Sequence, residues 1–536
     1  MPPTTNGECA VHGANRTQLS PPTRALAGCG LTLEPVKSAS KDLLDTIKHQ
    51  CDCEPVSMGE YLPSPRSVAR TTSETTPLLV PMDVERLDVE LALSPTERKA
   101  RALQHVHDRH ATSSVWGSTF TLTNTILGSG TLAVPFAIAS SGWLLGNAVM
   151  LVIAVLTRYS VTLLLAASDR AGVNCARTYE SLGHHTMGAW GTRLAEFTFI
   201  FGGFGTLVSY FMFITDLFTI VLGVDAQHKW VVTCVCWAAV ILPLSLNRRL
   251  GRLRLSSVLA VLSIGYVVAF VTVALIVVLR HDGTRANGDT DVVPGVRAVR
   301  FEPGSVYTVT LLIAAFACHN TALPVYDELR QRSLPRMDRA VIGAISIAFL
   351  LYEAVGISGY LQFGDATRDN ILLNFSPEYV ATHTSLRAPL WLGRACMAVA
   401  LLFTTPIAMW PFRSCLLSVY LRIKHAGVQT PSSAASWREH ATATVGSQLL
   451  ILLCSIFVPS VKIPLSIVGS VSGSLLIFIL PSLFFMLQSP HALLDRRHLG
   501  PLLMLATGAA VGVLGLSLTL YKIYHEHIAT TTAANA

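Results

Sequence analysis

Two short runs in this 536-residue chain interrupt long apolar stretches with residues suited to holding a small zwitterion. The first is Gly128-Ser129-Gly130, which breaks a stretch begun at Ser114 that resumes at Thr131. The second is His319-Asn320-Thr321-Ala322-Leu323-Pro324, which breaks a stretch begun near Gly304 that resumes at Val325. Each interruption lies about fourteen residues, or four helical turns, into its stretch. A helix that restarts in the middle of a membrane presents backbone N–H groups at its positive end, and these attract a carboxylate. Glycine removes the side chain that would block the approach. The carbonyls left free at the end of the preceding half-helix can coordinate a cation. Glycine and proline also serve membrane helices merely for packing or bending. Two interruptions at matching depth weigh toward a binding site at mid-membrane, as in transporters built from inverted repeats.

The elements that must position these residues are membrane spans. The chain is 51% hydrophobic and only 14% charged, too apolar for a protein solvated on all sides. The fold class expected is all-α and polytopic, with about eleven spans of the roughly 20 residues that a bilayer requires. They read at 114–140, 143–168, 194–223, 229–246, 254–279, 304–327, 338–362, 387–412, 441–459, 464–487 and 499–523. Charge tests this parse independently, because cytoplasmic loops gather Lys and Arg. With the N-terminus inside, the inner loops hold Arg170, Arg177 and Arg193, then Arg248, Arg249, Arg252 and Arg254, then Arg330, Arg332, Arg336 and Arg339, and later Arg413, Arg422, Lys424, Arg438, Arg496 and Arg497. The outer loops carry Asp282, Asp289, Asp291, Asp365 and Asp369. The net charge of +7 is thereby explained by topology and not by a nucleic-acid partner. The sequon at Asn374 falls outside, where it can be glycosylated, and that at Asn15 falls in the inner tail, where it cannot. An odd number of spans puts the C-terminus outside, and the polar residues 1–10 lack the pattern of a cleaved signal peptide.

Charges inside spans are costly and normally paired or facing water. Glu353 in the seventh span and Arg394 in the eighth lie at similar depth, and an ion pair between them is the expectation. Arg158, in the inner half of the second span, is expected to snorkel toward the cytoplasm. His319 admits two roles, a proton-sensitive gate or a neutral hydrogen-bonded residue at the break, of which the second is favoured. No cysteine pair has zinc spacing, and no nucleophile motif or phosphate loop supports an enzyme.

Several stretches carry a family resemblance. Thr123-Asn124-Thr125-Ile126-Leu127-Gly128-Ser129-Gly130-Thr131-Leu132, continuing to Pro135-Phe136-Ala137 and Gly142-Trp143, resembles the first helix of the amino acid/auxin permease family. Phe316-Ala317-Cys318-His319-Asn320-Thr321-Ala322-Leu323-Pro324-Val325-Tyr326 with Glu328-Leu329 is similar to the sodium-coupled neutral amino acid transporter branch. So are Gly359 through Asp365, Asn370 through Phe375, Val458-Pro459, and Gly469 through Leu483. The resemblance covers about 114–523. It implies an eleven-helix permease with five-plus-five inverted repeats and broken helices 1 and 6, a secondary-active symporter of neutral amino acids with no cofactor beyond a driving sodium ion or proton. It further implies an ion site at Asn124 with Thr404 or the adjacent Thr405, and a substrate site at Gly128, Ser129, Gly130, Thr131, His319, Asn320 and Thr321. Two features depart from the branch: Asn320 stands where a proline is expected, and an outer cysteine pair is missing.

Residues 1–110 are rich in Ser, Thr, Pro and charge and read as a disordered cytosolic tail, with a short helix near 84–102. The transporter domain is expected at 111–524 and a short C-terminal tail at 525–536. Within the N-terminal tail, Glu74-Thr75-Thr76-Pro77-Leu78-Leu79 is an acidic dileucine pattern of the kind that sorting adaptors read, which favours an acidic organelle, lysosome- or vacuole-like, over the plasma membrane. The alternative reading of a different class is an amino acid sensor that signals through this tail.

Overall fold

A computed structural model describes residues 113–128, 130–172, 178–247, 254–283, 295–425, 435–493 and 495–535. Outside them lie Ser129, Glu74, Leu78 and Leu79, the tail with its expected helix at 84–102, the Asn15 sequon, and loop residues Arg177, Arg248, Arg249, Arg252, Asp289 and Asp291.

The described chain is helical. In order it forms α1 (Val115–Ile126), α2 (Gly130–Ala139), α3 (Trp143–Ala171), α4 (Tyr179–Met187), α5 (Ala189–Leu222), α6 (Lys229–Cys236), α7 (Leu242–Ser245), α8 (Arg254–Gly283), α9 (Val306–Ala315) and α10 (His319–Asp327). There follow α11 (Leu334–Phe363), α12 (Pro377–Thr382), α13 (Arg387–Lys424), α14 (Trp437–Phe457), α15 (Lys462–Val468), α16 (Leu480–Leu487) and α17 (Leu499–Asn535). Wider π-helical segments, Trp237–Ile241 and Gly469–Ile479, join α6 to α7 and α15 to α16. Among the described residues nine helices are long and apolar enough to cross a membrane, or ten when α1 and α2 count as one bent span. The shorter apolar helix Lys229–Ser245 takes the fourth of the positions expected from the sequence. The last helix continues through residues first read as a separate C-terminal tail.

Each span is apolar on most of its circumference. Trp116, Leu151, Val155, Leu262, Leu350, Leu453 and Val513 are exposed on the outside, and only lipid can cover such a surface without cost. Inside, small residues let backbones approach closely. A Cβ on Gly469 would meet the Thr310 carbonyl oxygen at 1.9 Å, so the π segment presses directly on α9. A side chain on Gly356 would meet Ile138 Cδ1 at 2.4 Å, which seats α11 against α2.

Spans 1 and 6 are fastened to each other at both ends. On the inner side Ser113 N–H donates to the Glu328 carbonyl at 3.0 Å, and Arg330 N–H donates to the Ser113 carbonyl at 2.9 Å. On the outer side Arg300 N–H reaches the Ser141 carbonyl at 2.7 Å and Trp143 N–H reaches the Arg297 carbonyl at 3.0 Å. The turn between α2 and α3 needs Gly142, whose φ is +86° and whose Cβ would strike the Arg297 and Ala298 carbonyls at 2.7 Å. Arg300 completes the outer strap by pairing with Glu302 at 2.9 Å and Asp365 at 2.8 Å. The Arg300 guanidinium holds the Glu302 carboxyl below its usual range.

Candidate functional site

The first span breaks as its sequence indicates. Helix α1 closes with Leu127 N–H on the Thr123 carbonyl at 2.8 Å, and α2 restarts at Gly130. The sixth span breaks earlier than expected. Helix α9 ends at Ala315, residues 316–318 are non-helical, and α10 begins at His319. His319 through Pro324, read from the sequence as the gap, form most of the new helix. The physical reason lies in proline's limited damage: Pro324 removes one N–H from α10 without preventing the first turn upstream. That turn is locked by Thr321, whose N–H and Oγ1 both donate to the Cys318 carbonyl, at 3.1 and 3.0 Å.

The two breaks lie side by side. A Cβ on Gly130 would sit 3.1 Å from Ala315 Cβ and 3.2 Å from its Cα, so the start of α2 rests against the end of α9. Thr321 Oγ1 lies 3.2 Å from Thr125 Oγ1, and Thr125 donates to the Thr121 carbonyl at 3.0 Å. The helix starts of α2 and α10, each with the positive end of its dipole, thus open into one region between the spans. Gly128 faces span 3, where a Cβ would meet the Tyr210 hydroxyl oxygen at 3.2 Å. Thr131 is buried at 1% exposure, with its hydroxyl beside that of Tyr352. Asn320 is exposed, one residue beyond the fully buried His319.

His319 belongs to a buried chain of polar atoms. Its Nε2 lies 2.9 Å from Ser160 Oγ on α3, and the Ser160 hydroxyl donates to the Ile477 carbonyl in the π segment of span 10. The serine has one proton, and the carbonyl can only accept it. Nε2 must therefore carry a hydrogen and donate to Ser160. Nδ1 is left as a lone pair, buried and without a partner among the described residues. This arrangement suits the neutral imidazole, because an imidazolium would need a second acceptor at Nδ1. Leu476, next to Ile477, gives its carbonyl to the Tyr179 hydroxyl at 3.0 Å, and exposed carbonyls of this kind are what a π segment makes available.

The residues expected to hold the driving ion sit on two helices. Asn124 is half-buried on α1, one turn before the break, and Thr404 and Thr405 lie on α13. Both threonine hydroxyls donate within their own helix, to Ala400 and Leu401 at 2.7 Å, leaving their oxygen lone pairs available. No hydrogen bond joins them to Asn124 among the described residues.

The expected ion pair between Glu353 and Arg394 is not formed. Arg394 donates to the Leu372 carbonyl at 2.7 and 3.3 Å and to the Phe375 carbonyl at 2.8 Å, which anchors the outer loop between spans 7 and 8. One oxygen of Glu353, Oε2, is buried without a hydrogen bond among the described residues. Matching depth does not imply matching direction, since the two residues leave their helices toward different neighbours. Arg158 is not merely snorkelling: it forms a two-pronged pair with Asp338, at 3.2 and 3.0 Å.

Two features of the site carry no signal in the sequence. Tyr352 on α11 places its hydroxyl 2.6 Å from the Ile126 carbonyl oxygen and 3.2 Å from that of Ala315, at the ends of both leading half-helices. At the inner end, Asp169 accepts from Tyr326 at 2.8 Å and from Arg332 at 3.1 Å, while Arg332 also pairs with Asp327 at 3.5 Å and covers the Tyr326 ring at 4.3 Å. That cluster ties the end of span 6 to the end of span 2.

The family described as transmembrane amino acid transporter protein matches residues 111–525. The sodium-coupled neutral amino acid symporter 2 of Danio rerio is 26% identical over 439 residues, covering 77% of this chain and 83% of that protein. A Na+-coupled sialic acid symporter solved in a substrate-bound outward-open state overlaps at a TM-score of 0.45 and 12% identity, over 77% of this chain and 91% of its own. Inward-facing Mhp1 overlaps at a TM-score of 0.44 and 13% identity, over 78% and 92%.

Proposed function

Because the chain belongs to the family of transmembrane amino acid transporter proteins, and is a carrier and not an enzyme, we propose that it moves neutral amino acids by symport with sodium, at a site between its two broken spans. The observation that carries this reading is the contact of Gly130 with Ala315, which sets the start of α2 against the end of α9 and so places the two breaks side by side inside an apolar bundle. Gly128, Ser129, Gly130 and Thr131 border the substrate carboxylate, which the positive end of the α2 dipole attracts, the Gly128 and Thr131 N–H groups being engaged by the Ile126 and Gly128 carbonyls at 2.9 and 3.2 Å. His319, Asn320 and Thr321 border the substrate from the other break, with His319 neutral. Asn124, Thr404 and Thr405 supply oxygen ligands to the sodium ion. The name of the zebrafish relative supports both the neutral substrate and the choice of sodium over a proton. The paired breaks, five spans apart, support the five-plus-five repeat.

The carrier domain occupies 111–524 in this reading, with 1–110 as a cytosolic tail and 525–536 as a short C-terminal tail whose residues 525–535 continue the last helix. Glu74, Leu78 and Leu79 recruit sorting adaptors and direct the protein to an acidic organelle. Alanine at both leucines then moves a tagged protein to the plasma membrane, and an unchanged distribution rejects the signal. No observation favours the sensor reading.

The test is uptake into proteoliposomes with a panel of labelled amino acids under separately imposed sodium and pH gradients. Neutral amino acids accumulate under the sodium gradient alone. Accumulation of only charged amino acids, or under the pH gradient alone, contradicts the reading.

A further inference from the structure

The carbonyls at the ends of α1 and α9 converge on one point, and a phenol already stands there. Tyr352 is fully buried, with its hydroxyl 2.6 Å from the Ile126 carbonyl oxygen and 3.2 Å from that of Ala315. Its ring is held edge-on by Phe316, at 5.3 Å between centroids and 87° between planes. Both carbonyls lie at the negative end of a half-helix. Such oxygens at an unwound turn are the ligands that a hard monovalent cation takes in broken-helix carriers. The surroundings fit a cation as well as a hydroxyl. Gly130 brings backbone so close that a Cβ there would lie 3.9 Å from the Tyr352 oxygen, and the next residue, Thr131, turns its buried hydroxyl to that same oxygen. A phenol has one proton for the two carbonyls. It satisfies Ile126 well and leaves Ala315 at the longer distance.

We propose that the Tyr352 hydroxyl stands in for a cation between the two breaks, so that the carrier couples to at most one cation, and that removing the hydroxyl opens a second position of sodium size. The inference rests on the cation-coupled reading above and assigns Tyr352 a positioning and specificity role, since it touches the ends of both half-helices. With the phenol gone, the Ile126 oxygen keeps the Gly128 N–H at 2.9 Å but loses the hydroxyl, as does the Ala315 oxygen, and a bound cation can take the lone pairs that this frees in a dry environment. A merely structural tyrosine would lower activity without altering its dependence on sodium.

The experiment compares native protein with Tyr352→Phe in proteoliposomes, measuring initial uptake of a labelled amino acid as sodium is varied at constant ionic strength. The variant should show a dependence one order higher than the native protein: second order in place of first if sodium drives transport, first in place of zero if protons do. An active variant with unchanged order overturns the proposal. Two further measurements decide the matter if the variant is inactive or unstable. The ratio of radioactive sodium to amino acid carried by the native protein should not exceed one, and a ratio of two overturns the proposal. The melting temperature of the purified variant should gain a rise on exchange of N-methylglucamine for sodium that exceeds the native rise, and equal rises overturn it. Failure of the native protein to move any amino acid would instead defeat the reading of function, and the melting comparison would still judge Tyr352.

Discussion

The hydroxyls of Thr125 and Thr321 lie 3.2 Å apart, joining a half-helix of span 1 to a half-helix of span 6 across 196 residues of sequence. Together with Gly130 on Ala315 and the backbone ties at Ser113 and Ser141, this contact makes spans 1 and 6 one unit, fastened inside, at mid-depth and outside. What lies between the two spans is set by that unit.

Arg394 is a structural anchor and Glu353 is not its counter-ion. Arg394→Met should destabilise the protein by about 2–3 kcal/mol, because the Leu372 and Phe375 carbonyls lose a charged donor. Glu353→Gln should change stability by no more than about 0.5 kcal/mol, or raise it slightly, since it neutralises a carboxylate with an unpartnered oxygen. Thermal melts in detergent measure both. Equal losses, with no further loss in the double variant, would restore the ion pair.

Ser160 should matter because two groups depend on it. Ser160→Ala leaves both His319 Nε2–H and the Ile477 carbonyl unpartnered, at a cost of about 1–3 kcal/mol. In the double variant with His319→Leu the losses should fall short of additive, as expected for a shared network. The pH profile of uptake should keep its midpoint in Ser160→Ala, since a neutral His319 does not titrate during the cycle. A displaced midpoint would favour the proton-gate role.

The inner cluster should control access from the tail side. Arg332→Gln removes the cation that Asp169 and Asp327 share, while Tyr326 remains on Asp169. Loss of about 1–2 kcal/mol of closure corresponds to roughly 5–30-fold more open protein. Cys318, in the break of span 6 and 1% exposed, reports it. Its labelling by a water-soluble thiol reagent from the inner side, measured against Cys318→Ser, should accelerate by that factor. An unchanged rate would mean the cluster only decorates the surface.

Glu302 predicts a pH effect on the outer strap. Its carboxyl is held below the ordinary range by Arg300, so the folded state favours the charged form. The stabilisation is complete above the ordinary carboxylate pKa and is lost as pH falls through the lowered folded value. The melting-temperature difference between native protein and Glu302→Gln should be constant near neutrality and shrink toward strong acid. A difference that grows on acidification would reverse the assignment.

The sequence displayed the spans and the first break openly, because long apolar runs and a Gly-Ser-Gly interruption are local signals. It misplaced the second break because Pro324 is a conspicuous breaker, whereas the actual gap, Phe316-Ala317-Cys318, has a composition that any apolar helix could contain. Tyr352 and Ser160 were invisible for a different reason. Each is a lone hydroxyl in an apolar helix, and its importance comes from carbonyls 226 and 317 positions away along the chain. Glu353 and Arg394 show the converse error, since depth in a membrane can be read from sequence and azimuth around a helix cannot.

The central claim is that an amino acid binds where Gly130 meets Ala315. Saturable binding of a labelled neutral amino acid to purified protein in detergent tests it most directly, comparing native protein with Gly130→Val, whose side chain would have to force the two spans apart. Native protein should bind and the variant should lose binding by at least tenfold while its melting transition stays cooperative. A folded Gly130→Val protein that binds and transports as the native one does would contradict the account.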